Sequence, residues 1–316
     1  MSSPYTTFGL PPDGVAWAAL VAAGLLVPLL HPRARHALGA LAPQRVTVSA
    51  LVVTATLLSA GYVAWYLRGG PRIIDATSYY LQARTFARGD FTFPALSPSG
   101  AFRGRFLLEN AQHSLAVIFP PGYAAVLALG FLVHAPLAIG PLLAGAIVAA
   151  TYALAKELSD REDIALVAAA LSVLCAALRY HTADTMSHGL CALLLCLGAW
   201  LAVRARAWDA LCCGLALGWL IATRPVSGAV GVLLTLALLP RNPRAWSLFL
   251  AGLVPGVSFL LLYQHAATGS YWHSTQLAYY ALADSPQGCF RYGFGQGIGF
   301  YTGINNKPNY NNRCSF

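Results

Sequence analysis

Long apolar runs dominate the sequence and restrict the folds that the chain can adopt. Nine runs occur, at about 14–30, 46–67, 121–134, 138–156, 164–178, 188–203, 210–223, 225–239 and 246–263. A helix that crosses a membrane needs about 20 apolar residues, and several runs approach this length. Only 10% of the residues are charged, against about 25% in a soluble domain. The sequence therefore predicts an integral membrane protein with an all-α fold, a polytopic bundle of transmembrane helices.

The basic residues between the runs predict how the chain is oriented. Four loops carry most of them: 31–45, 156–163, 204–209 and 240–245. All four fall on one side of the membrane, as the positive-inside rule requires, if the run 121–134 does not cross. That run is short and begins with Pro120-Pro121, which suits an interfacial or re-entrant helix. We therefore expect eight spans, both termini outside, and a long extracytoplasmic loop over 68–137.

The basic residues that produce the net charge of +9 are scattered through loops between the apolar runs. Such a pattern is typical of topology signals and lipid headgroup contacts, so we expect the lipid bilayer as a partner and no nucleic acid. The first 14 residues contain no Lys or Arg, so they lack the basic region of a cleavable signal peptide. We divide the chain into a membrane domain, 1–264, and a polar, aromatic and glycine-rich extracytoplasmic tail, 265–316.

The loop segment PRIIDATSYYLQARTFARGDF, residues 71–91, places a single acid, Asp75, before a predicted amphipathic helix. The apolar face of this helix would contain Tyr79, Tyr80, Ala83, Phe86 and Ala87. Gln82 and Thr85 would lie on the polar face, a pattern typical of a helix in the membrane interface. Asp75 is predicted as an N-cap or as a general base on the outer face. The two roles are compatible, because a cap fixes the carboxylate in place.

Four stretches in a fixed order carry a resemblance to a known superfamily. They are IIDATSYYLQA, FPPGYAAVLALG, YALAKEL and GLALGWLIATRPVSGAVGVLLTLALLP. Over about residues 46–264 the chain resembles the GT-C membrane glycosyltransferases, particularly the bacterial relatives of protein mannosyltransferases and of the lipid A aminoarabinose transferase. The resemblance implies a polyprenyl-phosphate-linked sugar as donor and transfer on the extracytoplasmic face of the inner membrane. It also implies a catalytic acid in the first external loop, here Asp75.

The chain departs from the family pattern in three respects. The run 14–30 is additional, and Ala76 follows Asp75 where the family often has a second acid. The polar tail stands where family members continue through further helices. Two alternatives to a glycosyltransferase of the cell envelope therefore stay open: a transporter or flippase for a lipid-linked substrate, and a non-catalytic, truncated membrane protein.

Transfer from a phosphate-linked sugar requires a base for the acceptor proton and cations for the departing phosphate. Arg72 and Arg224 are the predicted phosphate contacts. Arg224 lies between two apolar runs, where an arginine is costly unless it is paired or reaches the interface, so an anchoring role is the alternative. Tyr79 is a further predicted substrate contact on the helix that follows Asp75.

Two polar clusters supply the remaining candidates. Glu109 and His113 occur in LLENAQHS within the long loop. In RYHTADTMSHG, His181, Asp184 and His188 are spaced to share one helical face, so His181 and Asp184 are predicted substrate contacts. This spacing could hold a metal ion, but no further ligand is evident, and Asp184 is also a predicted N-cap of the next helix. We predict no metal site and no bound cofactor, with any need for a divalent ion left open.

Overall fold

The structure is a computed structural model and describes residues 21, 44–97, 104–204, 206–239 and 242–281, with the backbone of 289–290 and 300–301. The chain divides into two compact units after Ala50. Of the first unit the structure describes Val21 and the beginning of one helix. The predicted run 14–30 otherwise lies outside the described residues. Apart from the beginning of that helix, everything that follows concerns the second unit.

Eleven α-helices form most of the described chain. They are α1 (Gln44–Gly61), α2 (Ile74–Phe86), α3 (Pro121–Leu132), α4 (Ile139–Ser159), α5 (Glu162–Leu174), α6 (Ala176–Ala183), α7 (His188–Arg204), α8 (Ala207–Thr223), α9 (Pro225–Leu238), α10 (Pro243–Thr268) and α11 (Thr275–Ala281). A π-helical turn, Tyr62–Tyr66, extends α1, and a 3₁₀ turn, Pro136–Ala138, precedes α4. The expectation of a mainly helical fold is confirmed.

Among the residues that the structure describes, three helical segments are long and apolar enough to cross a membrane: Arg45–Tyr66, Pro136–Ser159 and Pro243–Thr268. Helices α5 and α6 meet at a bend of 60° and could form a fourth span. Helices α3, α7, α8 and α9 are apolar but have only 12–17 residues. The helices therefore indicate a membrane protein, whereas the count of eight spans stays a prediction.

Helix α2 packs against the protein, which corrects part of the sequence interpretation. The Tyr79 ring stacks on Phe119 at 4.7 Å between centroids, and the Tyr80 ring meets Phe131 at 4.8 Å. Gln82 and Thr85, assigned to the polar face, are buried, and Gln82 Nε2 donates to the Phe119 carbonyl oxygen at 3.0 Å. The aromatic face therefore contacts protein rings rather than headgroups, because α3 covers it.

The long loop also contains strands that the sequence analysis did not predict. An antiparallel sheet has the order β1 (Phe93–Pro94), β3 (Ser114–Val117), β2 (Leu107–Glu109). The inner residues of the sheet are buried, and α11 forms hydrogen bonds with residues adjoining β2 and β3. Thr275 Oγ1 donates to the Ile118 carbonyl oxygen at 2.6 Å, and the Phe106 N–H donates to Tyr279 Oη at 3.3 Å. A further two-stranded pair joins β4 (Cys289–Phe290) and β5 (Phe300–Tyr301).

Glycines allow a close helix contact between α8 and α10. A Cβ atom at Gly256 would lie 2.1 Å from the Gly218 backbone, and one at Gly252 would lie 2.3 Å from the Leu211 carbonyl oxygen. Only glycine fits at such separations, so the two backbones pack without intervening side chains. Helix α10 continues to Thr268, so the proposed boundary at 264 falls within a helix.

Candidate functional site

A cavity of about 460 Å³ opens where several helices begin. Asp75 and Arg224 both line it, although 149 positions separate them in the sequence. Tyr79, His188 and Gln276 complete its polar walls, and Phe119 and Pro120 supply apolar surface. The volume lies within the range of pockets that bind small molecules. The structure therefore brings together the predicted base and one of the two predicted phosphate contacts.

The starts of α2, α3, α7 and α9 line this cavity, in addition to Gln276 in the first turn of the short α11. Asp75 lies in the first turn of α2, and Pro120 is the N-cap of α3. Ser187 and His188 begin α7, and Arg224 to Ser227 begin α9. Each helix N-terminus carries free N–H groups and the equivalent of roughly half a positive charge. Such an arrangement favours an anion in the cavity.

Asp75 is the second residue of α2 and is half-buried. The prediction that Asp75 is the N-cap is wrong: Ile73 occupies that position, with extended backbone and no side-chain cap. The helix starts two residues earlier than predicted, since the Thr77 N–H already donates to the Ile73 carbonyl oxygen at 3.0 Å. In the first turn, the helix N-terminus still stabilises a carboxylate, and the side chain is left available to the cavity.

Tyr79 lies one turn further along α2 and forms part of the same wall. Its ring is held between Phe119 and an edge-on Tyr123 at 5.3 Å. Burial raises the pKa of the Tyr79 hydroxyl to about 12, against smaller opposing effects from Ser187 and the charge of Arg224. The hydroxyl therefore stays protonated near neutral pH and can donate a hydrogen bond, but it is a poor proton acceptor.

Arg224 joins α8 to α9 in extended backbone, because Pro225 disfavours helical geometry in the residue before it. Its side chain is exposed to the cavity. Within the ranges that the structure describes, the guanidinium of Arg224 forms no ion pair with a carboxylate. Arg72, by contrast, does not line the cavity, and its Nε donates to the Leu67 carbonyl oxygen at 2.9 Å. Of the two predicted phosphate contacts, Arg224 therefore lies at the cavity and Arg72 does not.

Glu109 and His113 lie on the β2–β3 hairpin and do not line the cavity. His113 Nδ1 is 3.1 Å from Glu109 Oε1, and the His113 side chain is 88% exposed. Their contact closes the hairpin turn, in which Asn110 Oδ1 also accepts from the Gln112 and Ser114 N–H groups. The structure therefore shows these two residues in contact with each other and outside the cavity.

The segment from Arg179 to His188 does not form the continuous helix that the spacing implied. Helix α6 ends at Ala183 and α7 begins at His188, so Asp184 caps the C-terminus of α6 and is not the N-cap of α7. The His181 and His188 rings stack at 4.6 Å. His188 reaches the cavity, whereas His181 and Asp184 lie behind its wall. Within the described residues, no group of three or more His, Cys, Asp or Glu side chains could hold a metal ion.

Several cavity residues were not predicted as site residues. Ser187, His188, Thr223 and Gln276 come from three different helices or their starts. The spacing of His188 from His181 was a signal for His188. Gln276 had no such signal, because α11 reaches the cavity only through its contacts with the sheet. No protein-family model and no curated protein matches the chain. Membership of the GT-C superfamily therefore stays a prediction from the quoted motifs.

Proposed function

We propose that this protein is a multi-pass glycosyltransferase of the inner membrane. It would transfer a sugar from a polyprenyl-phosphate-linked donor to an acceptor on the extracytoplasmic face. The observation that carries this proposal is the meeting of Asp75 and Arg224 in one cavity formed by helix N-termini. A carboxylate that can accept a proton thus lies beside groups that attract a phosphate.

The proposed step divides the work between these groups. The Asp75 carboxylate accepts the proton of an acceptor hydroxyl as its oxygen attacks the anomeric carbon of the sugar. The bond between that carbon and the phosphate oxygen breaks, and the electron pair leaves with the polyprenyl phosphate. Arg224 and the free N–H groups of Val226 and Ser227 stabilise the charge that grows on the leaving oxygen. A guanidinium suits this task because its fork matches two phosphate oxygens.

Hydrogen bonds from neutral side chains would orient the donor. Tyr79 can donate from its protonated hydroxyl, and the amide of Gln276 can both donate and accept. Sugar hydroxyl groups need partners of this kind. The apolar surface from Phe119 and Pro120 would contact a sugar ring face or the first isoprene unit of the lipid.

The test is turnover by the purified protein in lipid nanodiscs with a panel of radiolabelled polyprenyl-phosphate sugars. We expect release of polyprenyl phosphate with one or more donors, and a fall of about 10²–10⁴-fold in Asp75→Asn, because a general base contributes that much. Asp90→Asn is the matched control, since Asp90 is exposed beyond the end of the same helix. A rate in Asp75→Asn equal to that of the control would contradict the proposal. Donor binding without turnover would favour a transporter of lipid-linked substrates.

A further inference from the structure

Buried polar atoms without a hydrogen-bond partner are concentrated behind one wall of the cavity. Among the described residues these atoms are Gln82 Oε1, Arg179 Nε, His181 Nδ1, Asp184 Oδ2 and His188 Nδ1. Four of the five belong to the segment from Arg179 to His188, which includes the end of α6 and the start of α7. Buried polar groups in native proteins are nearly always paired, so such a cluster calls for an explanation.

Asp184 is the most demanding member of this cluster. Only 1% of the Asp184 surface is exposed. Oδ1 accepts one hydrogen bond, from the Thr185 N–H at 2.9 Å, and Oδ2 has no partner. In the part of the chain that the structure describes, Asp184 forms no ion pair with a basic side chain. An ionised carboxylate in this position would be largely uncompensated, whereas a protonated carboxyl group avoids most of that cost.

The titratable groups around Asp184 do not supply the missing compensation. Those that interact with its charge are Asp75, Tyr62, Tyr123, Tyr180 and His181. Burial, more than any other cause, raises the pKa of Asp184, and the negative charge of Asp75 raises it further. The Thr185 N–H and His181 act in the opposite direction, and the net change is upward.

A short hydrogen-bonded path joins Asp184 to the predicted base. Thr185 Oγ1 donates to the Ala76 carbonyl oxygen at 2.9 Å, which attaches the Asp184 segment to the first turn of α2. Met186, Ser187 and His188, which follow directly, line the cavity. A charge on Asp184 would therefore act on Asp75 and on any phosphate in the cavity, although Asp184 itself touches neither the cavity nor its ligand.

We propose that Asp184 is a positioning residue that remains protonated and neutral at neutral pH, so that Asp75 alone carries the negative charge at the site. Its effect on transfer rests on the proposed function. Ionisation of Asp184 would place a second negative charge beside Asp75. That charge would repel the donor phosphate.

The protonation state can be measured without any substrate, by infrared difference spectroscopy of the protein in nanodiscs. We expect a carbonyl band of a protonated carboxyl group at neutral pH in the wild type and in Asp160→Asn, and its loss in Asp184→Asn. Asp160 is a suitable control because it is exposed and in left-handed backbone that Asn also tolerates. Absence of the band from the wild type would overturn the proposal. If Asp184→Asn does not fold, Asp184→Glu must shift the band, and an unshifted band would equally overturn it.

The pH dependence of transfer tests the coupling to Asp75. As pH rises through the ionisation of Asp184, we expect the wild-type rate to fall by up to about tenfold per pH unit. Asp184→Asn, which stays neutral, should lack this fall, and Asp160→Asn should keep it. The same fall in Asp184→Asn would contradict the coupling. A chain without transferase activity that still shows the infrared band would refute the proposed function and leave the protonated Asp184 established.

Discussion

At the residue scale, the backbone of Arg224 completes one helix and its side chain lines the cavity. Its N–H donates to the Leu220 carbonyl oxygen at 2.7 Å, which completes the last turn of α8. Pro225 then begins α9, where its missing N–H costs nothing. The guanidinium is left at the cavity with no acid paired to it among the described residues. An unpaired arginine between two apolar helices is costly unless it binds an anion or reaches the membrane interface.

Arg224→Gln should therefore weaken use of the donor. We expect a kcat/KM about 10- to 100-fold lower, the effect of losing a charge-assisted hydrogen bond of about 1.5–3 kcal/mol. Arg72→Gln removes the same charge on the other side of Asp75 in sequence, but Arg72 lies outside the cavity. Its kcat/KM should stay close to the wild-type value. Steady-state kinetics with the best donor of the panel make the comparison, and equal losses in the two variants would argue against a phosphate site at Arg224.

Asp184 also affects stability, with a sign opposite to that of a salt-bridged acid. Because burial raises its pKa in the folded protein, the native state holds a proton that the unfolded chain releases at a lower pH. Its stabilising contribution is full below the ordinary pKa of an aspartate and declines as pH rises through the raised value. The melting temperature of the wild type should fall over this window, more steeply than that of Asp184→Asn. Identical pH slopes would show that Asp184 is already ionised in the folded state.

The sequence identified the site residues that stand at boundaries between apolar and polar segments. Asp75 was found as a single acid before a predicted helix, and Arg224 because an arginine between two apolar runs is costly. The N-cap role assigned to Asp75 was wrong, because Ile73 occupies the N-cap position without any side-chain cap, so no capping residue marks the start in the sequence. Gln276 could not be found, since its place depends on contacts between residues more than 150 positions apart.

At the scale of elements, the contact between α8 and α10 connects bundle packing to the site. Gly218 and Gly256 let the two backbones meet, which places Trp219 against Phe259 in parallel stacking at 5.4 Å. Trp219 Nε1 then donates to the Gly122 carbonyl oxygen at 3.1 Å in the first turn of α3. The position of α3, and with it the Pro120 wall of the cavity, therefore depends on this glycine contact.

A methyl group at Gly256 should separate the helices. Its Cβ would lie 2.1 Å from backbone atoms of Gly218, which cannot rotate away. We expect Gly256→Ala to lower the free energy of unfolding by about 1–3 kcal/mol, as overpacking of a core does. Gly61→Ala is the matched control, because Gly61 has helical backbone and open space at its Cβ. Thermal unfolding in detergent compares the two, and a Gly256→Ala midpoint as high as that of the control would contradict the packing argument.

Apolar runs predicted the helices well because they record the environment in which each helix lies. The predicted run 225–239 corresponds to α9, and 138–156 corresponds to α4 within three residues at each end. The small sheet escaped prediction, since its strands have only two to four residues and one of them contains a proline. Segments this short carry no periodic pattern, and the sheet forms through pairing with distant parts of the loop.

At the scale of the whole molecule, the distribution of charge predicts that two exposed segments lie on opposite sides of the membrane. Single cysteines at Arg88 and Glu157, introduced into a cysteine-free background, would report on the loop 68–137 and on the basic loop 156–163. Both positions are exposed. We expect an impermeant maleimide to label the first in intact cells and the second only after the membrane is opened. Labelling of the Arg88 position only from the cytoplasm would reverse the orientation and remove the proposed site from the outer face.

The attachment of α11 to the loop sheet also sets an order of assembly. Asp75 leaves the ribosome early, but the wall that contains Gln276 can close only after Thr275 and Tyr279 have been synthesised and have reached Ile118 and Phe106. Until then Asp75 lies in a cavity that lacks the wall formed by Gln276. An incomplete chain that stalls before α11 would thus lack the part of the cavity wall that Gln276 supplies.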